Sequence, residues 1–180
     1  TYNSTNEEEG SFGIGWDFNI DVSKIIEPAE GWYQVVMPDG SNSTFKEENG
    51  SFKCENNRNK MRKSGSDFIV TIPDQTEYYY NSNMKLYKIV DSEVNTLTIS
   101  DIASNIRTVT DATGRTYKIT YNGNSEHQRV IKIEDTTAGR TVSYEYNSDF
   151  QLVSATNVAG GKETYSYDSN GHMNKITNCY

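Results

Sequence analysis

The sequence predicts an all-β protein built from tandem antiparallel β-hairpins. Three observations support this prediction. Short runs of alternating apolar and polar residues are rich in Tyr, Val, Ile, Thr and Phe, whereas helical periodicity is almost absent. Clusters of Gly, Asn, Asp and Ser separate the runs and supply turn residues. Only three prolines occur, and each is expected before or after a strand and not inside it.

The strands can be assigned in order because a period of two places alternate residues on one side of a sheet. In chain order these sets are Tyr33, Val35 and Met37; Phe68, Val70 and Ile72; Leu97 and Ile99; Tyr117, Ile119 and Tyr121; Val142, Tyr144 and Tyr146; and Tyr165 with Tyr167. Turns that tolerate positive φ are expected at Asp39-Gly40, Asn49-Gly50, Asn122-Gly123 and Asn170-Gly171. The result is a meander of about six to eight hairpins with little or no helix.

Size and charge limit the possible functions. The chain has 180 residues, a formal net charge of −8 and 12% aromatic residues, including 13 Tyr. The aromatic content argues against disorder, and the length suits one domain with a modest core. An acidic chain is a poor partner for nucleic-acid phosphates, so no nucleic acid is expected as a partner. No run of about 18 apolar residues exists, so no membrane span is predicted in this segment.

The second half of the chain is repetitive. Three glycines are each followed by a tyrosine seven residues later: Gly114 by Tyr121, Gly139 by Tyr146 and Gly160 by Tyr167. The glycines are 25 and then 21 residues apart. The other repeated positions are Arg115, Tyr117, Arg140, Tyr144, Tyr165, Asp168 and Gly171. Repeats of this length are typical of units that cannot bury an apolar face alone and must stack on their neighbours. A returning strand is expected in each repeat, at residues 129–133, 151–155 and 173–177.

These residues closely resemble the RHS, or YD, repeat, whose core is a glycine turn with Arg, then Tyr-x-Tyr-Asp, then x-x-Gly. Residues 165–171 match that core fully, whereas the first two repeats have Asn122 and Asn147 in place of the Asp. The middle repeat also lacks the closing glycine. Upstream, Gly13, Gly15 and Trp16, followed by Trp32, resemble the leader that precedes the repeats in this family.

The resemblance implies a division of the chain. Residues 1–30 would be a leader, residues 31–110 divergent β-hairpins and residues 111–180 three YD-type repeats. In this family, tandem hairpins coil into a continuous spiral sheet that walls a hollow shell. Because the chain starts at Thr1 without Met and stops after a predicted strand, it is expected to be one structural unit excised from a larger protein.

The function that the resemblance implies is structural. The chain would be a non-catalytic segment of a large secreted or cell-surface protein whose shell encloses or presents a C-terminal toxin or effector. Nothing in the sequence matches the family's self-cleaving segment, so no catalytic residue and no cofactor are assigned. The expected partners are the rest of the same polypeptide, with its further repeats and cargo. A dimer of this segment alone could arise from sheet edges exposed by truncation.

The alternative function is a carbohydrate-binding or adhesion module that recognises cell-wall or host glycans. Its candidate stacking platform is Trp16, Trp32 and Tyr79, because flat aromatic rings suit sugar faces. The regular i, i+2 placement of tyrosines in each repeat instead favours packing within a sheet, since binding platforms more often lie on irregular loops.

The remaining polar residues do not form a recognisable site in the sequence. His127 and His172 stand alone beside predicted turns, which does not suit a metal site, and none is assigned. The acidic run at residues 7–9 is interpreted as a solvated face, and the basic residues 56–63 as a long exposed loop. The pairing of Cys54 with Cys179 is left open.

Overall fold

The computed structural model describes residues 2–5, 9–16, 18–124 and 126–179, and it confirms the all-β prediction. One four-residue helix, α1 (Asn19–Val22), is the sole helix in these ranges. The first strands are β1 (Glu9–Gly10), β2 (Gly13–Ile14), β3 (Lys24–Ala29), β4 (Trp32–Val36), β5 (Asn42–Glu48), β6 (Ser51–Cys54), β7 (Lys60–Ser64), β8 (Asp67–Thr71) and β9 (Glu77–Tyr80). They are followed by β10 (Leu86–Val90), β11 (Thr96–Ile99), β12 (Ile106–Thr110), β13 (Thr116–Tyr121), β14 (Val130–Asp135), β15 (Arg140–Tyr146), β16 (Leu152–Thr156), β17 (Lys162–Tyr167) and β18 (Met173–Cys179).

The chain divides into two compact units. The repeat-bearing unit comprises Thr1–Phe18, Asp101–Val109 and Gly114–Tyr180, and it contains β1, β2, nearly all of β12, and β13–β18. The middle unit comprises Asn19–Ser100 and Thr110–Thr113, and it contains α1 and β3–β11. Within β3–β6, β7–β11 and β13–β18, consecutive strands pair as antiparallel neighbours, as the predicted hairpins require.

The sheet of the repeat-bearing unit has two chemically different faces. Its tyrosine face carries the repeat tyrosines together with buried Ile119, Val130 and Leu152. The opposite face is polar and carries ion pairs such as Lys162 Nζ to Glu145 Oε2, at 2.7 Å. Cross-strand partners lie on the same face of an antiparallel sheet, so this segregation follows directly from the period-two pattern.

The middle unit has a four-stranded sheet, β3–β6, and a five-stranded meander, β7–β11. Its core is the face predicted from sequence, because Tyr33, Val35 and Met37 are all buried. They are joined by buried residues of neighbouring strands, namely Phe45, Phe68, Val70 and Tyr80. The expectation for the prolines was wrong at Pro28, which lies inside β3. β3 is an edge strand with a register shift between Ile26 and Ala29, which is where a strand tolerates proline.

One turn geometry recurs through both units. The N–H of the first turn residue donates to the C=O four residues later, and the N–H of the fourth donates back to the C=O of the first. The first residues of these turns are Met37, Ile72, Asn81, Asp91, Asn147, Asn157 and Asp168. Where the first residue is Asn or Asp, its Oδ1 also accepts the N–H groups two and four residues later. Asn and Asp are therefore interchangeable here, since each supplies the same oxygen.

Candidate functional site

Each predicted repeat hairpin has a bulge at the same place. The register shifts immediately before Tyr121, Tyr146 and Tyr167, the tyrosines that lie seven residues after a glycine. A β-bulge increases local twist and re-aims the side chain beside it. The repeated sequence spacing therefore corresponds to a repeated backbone irregularity.

Tyrosine hydroxyls link the second and the third repeat hairpin to the hairpin before each of them. Tyr146 Oη donates to Val130 O and Tyr167 Oη donates to Leu152 O, both at 2.7 Å. Both carbonyls belong to the first residue of a returning strand. Burial raises the pKa of Tyr146 and of Tyr167, so both hydroxyls stay protonated and can donate at neutral pH. The Val130 N–H in turn donates to Ser11 O, which attaches the start of the chain to this junction.

The N-terminal arm, defined as residues 2–5 and 9–16, lies on the tyrosine face. Trp16 packs edge-on against Tyr165 with 5.2 Å between ring centroids, and its Nε1 donates to Tyr167 Oη at 3.3 Å. Phe12 packs edge-on against Tyr144, with 4.8 Å between centroids. Aromatic pairs of this geometry contribute about 0.5–1.5 kcal/mol beyond their buried area. The repeat tyrosines are thus covered by a segment of their own chain.

Two glycines of the leader motif let the arm approach closely. Gly13 has a φ of +107°, and a Cβ there would lie 3.2 Å from Phe150 O. Gly15 has a φ of +79°, and its Cβ would lie 2.8 Å from the Tyr2 ring. Tyr2 is itself anchored, because its hydroxyl accepts the Met173 N–H at 2.9 Å. Neither position accommodates a larger residue without strain.

A charged cluster fixes the arm at β1. Glu9 accepts hydrogen bonds from Arg129 and from His127, whose Nδ1 lies 2.7 Å from Glu9 Oε1. Arg129 is only 3% exposed, and its Nε also donates to Phe150 O at 3.0 Å. Burial acts to raise the pKa of Glu9, but the hydrogen bonds from Arg129 and His127 outweigh it and lower that pKa. Glu9 is exposed, as expected for the acidic run, but it is also paired with Arg129 and His127, and His127 therefore does not stand alone. Residues 7 and 8 lie outside the described residues.

The repeat arginines converge on one carboxylate. Arg115 and Arg140 both donate to Asp135 Oδ2, and the Ala138 N–H donates to Oδ1 at 3.0 Å. The Arg115 hydrogen bond, with those from Ala138 and Arg140, holds the pKa of Asp135 well below its usual range against the effect of burial. The third repeat has Gly161 in place of the arginine. The Gly-Arg element of the motif therefore has a structural role in the first two repeats.

The remaining motif residues form turns. Positive φ angles occur at the four repeat glycines, +83° at Gly114, +65° at Gly139, +84° at Gly160 and +83° at Gly171. Asp168 begins the last turn and accepts the N–H groups of Asn170 and His172.

The aromatic residues named as a glycan platform are distributed over the two units. Trp16 packs in the repeat-bearing unit, as described above. In the middle unit, Lys88 Nζ lies 3.7 Å from the centroid of the Tyr79 ring and covers it. Trp32 is 36% exposed, and Lys46 Nζ lies 5.7 Å from its ring centroid. Among the described residues, no ring contact joins Trp32 to Tyr79.

The middle unit contains a hairpin of the repeat design that the sequence did not reveal. Tyr78 and Tyr80 occupy i and i+2 of β9, the register shifts next to Tyr80, and Asn81 begins the recurrent turn. The expected glycines are missing, because the positive-φ positions of the turns on either side of β9 are taken by Gln75 and Met84. The Tyr-x-Tyr-Asn order was the signal that could have identified it.

The basic residues 56–63 are not one exposed loop. Lys60–Ser64 is strand β7, and the asparagines before it bond back to β5, as with Asn59 Nδ2 to Ser43 Oγ at 2.8 Å. Lys63 Nζ lies 4.9 Å from the Phe68 ring centroid and 3.4 Å from Glu47 Oε2. Lys63, and Arg62 through its ion pair with Glu77, therefore make contacts within the middle unit.

Other reactive groups form no cluster within the described ranges. Among those residues, no group of three or more His, Cys, Asp and Glu side chains could hold a metal ion. Cys54 is a free thiol that donates to Asn57 Oδ1 at 2.9 Å, whereas the side chain of Cys179 lies outside the described part. No helix of the described chain is long and apolar enough to cross a membrane.

Comparisons with known proteins identify no family. No model of a known protein family matches the chain, and no curated protein matches it significantly. Among solved structures, the chain is similar to a porin-like protein from Bacteroides uniformis. The two are 11% identical, with a TM-score of 0.30 over 87% of this chain and 95% of that one. A likeness at that level carries no argument about fold or function.

Proposed function

We propose that this chain is a non-catalytic structural segment of a large secreted or cell-surface RHS/YD-repeat protein. It would form part of a continuous curved β-sheet, a shell wall that encloses or presents a C-terminal toxin or effector. One observation carries the proposal: the hydroxyls of Tyr146 and Tyr167 bond a backbone carbonyl of the preceding hairpin. Every strand has such carbonyls whatever its side chains, so this link can be repeated along a wall of any length.

Two further features suit a wall. The rings of Tyr144 and Tyr165 pack against Phe12 and Trp16 of the N-terminal arm, which leaves little of their surface for a substrate. The opposite face carries solvated ion pairs, such as Lys132 to Glu134 at 2.9 Å. A thin sheet with one packed and one hydrated face is the simplest element from which an enclosure can be built.

The size of the native polypeptide tests this proposal. Antibodies raised against the 180-residue chain would be used on whole source cells and on their culture medium. The proposal predicts a species well above about 100 kDa, several times the usual domain size, in the medium or at the cell surface. A native species no larger than this chain would overturn it, because so few hairpins cannot enclose a cavity.

The alternative is a carbohydrate-binding or adhesion module, and the exposure of Trp32 favours it. It predicts binding to wall or host glycans that is lost in Trp32→Ala and kept in Trp16→Phe. Trp32-dependent binding by a small native protein would support the alternative over the shell wall.

A further inference from the structure

A groove of about 380 Å³ in the middle unit is not used by the packing described above. It lies beside two copies of the recurrent turn, at residues 37–41 and 72–76. Buried Met37 lines it with half-buried Tyr78, and Pro38 and Pro73 add apolar surface. Its volume is within the range of about 300–1,000 Å³ that is common for small-molecule sites.

The polar lining is held in place before any ligand arrives. Asp39 Oδ1 accepts the Ser41 N–H at 2.9 Å, and the Ser41 side chain also hydrogen-bonds the Asp39 carboxylate, so both side chains are ordered. Asn59 is fixed by the hydrogen bond from its Nδ2 to the buried Ser43 Oγ at 2.8 Å. Polar groups that are already ordered lose little conformational entropy on binding, which favours recognition of a small ligand.

The chemistry of the lining selects a class of ligand. Hydroxyls of Ser41 and Tyr78 and amides of Asn19 and Asn59 both donate and accept hydrogen bonds, and Asp39 is the one formal charge on the lining. An anion would be repelled by Asp39. An ammonium ion would be attracted by Asp39, but it cannot accept hydrogen bonds from the amide N–H groups of Asn19 and Asn59. Neutral hydroxyl groups meet both donors and acceptors, while the CH face of a sugar ring can lie on the Tyr78 ring and the prolines.

We propose that this groove is a binding site for a neutral saccharide, with Tyr78 as its apolar wall and Asp39, Asn19 and Asn59 as its hydrogen-bonding groups. The site is separate from Trp32, Trp16 and Tyr79, and it does not depend on the shell-wall function. Its failure would leave the native-size experiment unaffected.

NMR titration of the ¹⁵N-labelled full chain tests the proposal. The probes are glucose, galactose, N-acetylglucosamine, cellobiose and lactose, with glucuronate and glucosamine as charged comparators. We expect at least one neutral probe to cause saturable shifts in the side-chain amides of Asn19 and Asn59 and in the Ser41 N–H. Neither charged comparator should bind as tightly as that probe.

Two variants and one control locate the binding. Asp39→Asn keeps an oxygen for the Ser41 N–H and so preserves the turn, yet it should weaken binding by about tenfold, a typical cost of losing a charged hydrogen-bond acceptor. Tyr78→Ala should abolish binding, and Tyr87→Ala, at a tyrosine of β10 that does not line the groove, should leave it unchanged. The proposal is overturned by flat titrations with all five neutral probes, by tighter binding of glucosamine or glucuronate, or by binding that Asp39→Asn does not weaken.

Discussion

Three tyrosines occupy the same place in the same kind of hairpin, but their hydroxyls have different partners. They are Tyr80 in the middle unit and Tyr146 and Tyr167 in the repeat-bearing unit. Tyr80 Oη lies 3.0 Å from Ser23 Oγ and donates to Met37 Sδ at 3.9 Å. The other two donate to backbone carbonyls of the preceding hairpin.

The difference shows which parts of the hairpin are general and which depend on surroundings. The bulge and the Asx turn are general, because local sequence sets both. The hydroxyl partner depends on the segment that covers the tyrosine. In the middle unit, residues 19–37 supply the side chains of Ser23 and Met37, whereas the repeat-bearing unit uses backbone. A hydroxyl that bonds a backbone carbonyl needs no particular side chain in the covering segment, so the same contact can recur in successive hairpins. We therefore expect a recognisable sequence repeat in the repeat-bearing unit.

Tyr80→Ala should have the largest effect. Tyr80 is fully buried in the middle unit, and truncation of a buried aromatic side chain costs about 3–5 kcal/mol. Urea unfolding followed by Trp32 fluorescence, in a Trp16→Phe background, measures the change. Tyr79→Ala on the opposite face is the control and should cost far less, since Tyr79 is partly exposed. Equal losses of unfolding free energy in the two variants would contradict the assignment of Tyr80 to the packed face of β9 and of Tyr79 to its open face.

Gly13→Ala should detach the N-terminal arm. The substitution places a Cβ at a φ of +107° and near Phe150 O, and strain of this kind costs about 1–3 kcal/mol. Acrylamide quenching of Trp16 should increase. Gly114→Ala is the matched control, because Gly114 also has positive φ but has no atom within 4 Å of its Cβ position. It should lower stability without exposing Trp16, and similar quenching in both variants would contradict the close approach.

Asp135→Asn should reduce the acid sensitivity of the repeat-bearing unit. Hydrogen bonds from Arg115, Ala138 and Arg140 lower the folded-state pKa of Asp135. Its contribution to the free energy of unfolding is therefore complete above the unfolded pKa of about 3.9 and is lost as pH falls below that value. Urea midpoints measured between about pH 5 and pH 2 should fall less steeply in the variant. Identical slopes would show that the carboxylate is not held by the arginines.

Lys88→Met should have the smallest effect. The ammonium group lies 3.7 Å from the Tyr79 ring centroid, and an exposed cation–π contact contributes about 0.5–1 kcal/mol. Methionine keeps most of the aliphatic stem but removes the charge. A thermal melt of the middle unit should shift down slightly, and a gain in stability would mean that the contact is not favourable.

Much of the fold could be predicted from sequence because it is local. Period-two alternation identified the buried face of Tyr33, Val35 and Met37, and glycine positions identified the repeat turns. The hairpin around Tyr80 was missed because Gln75 and Met84 take the positive φ angles expected of glycine. The contact of Glu9 with His127 and Arg129 was missed for another reason. It joins positions 118 and 120 residues apart, and no local pattern records such a pairing.

The most direct test of the tyrosine–backbone link is the unfolding free energy of Tyr146→Phe and Tyr167→Phe. Both would be made in a Trp32→Phe background, so that Trp16 reports on the repeat-bearing unit alone. Phenylalanine keeps the ring and removes only the hydroxyl. We predict that Tyr146→Phe loses about 0.5–1.5 kcal/mol, the net value of one hydrogen bond. Tyr167→Phe should lose more, because the Tyr167 hydroxyl also accepts the hydrogen bond from Trp16 Nε1. If the free energy of unfolding is unchanged in both variants, the hydroxyls do not join the hairpins. That result would contradict the proposal that this link builds a shell wall.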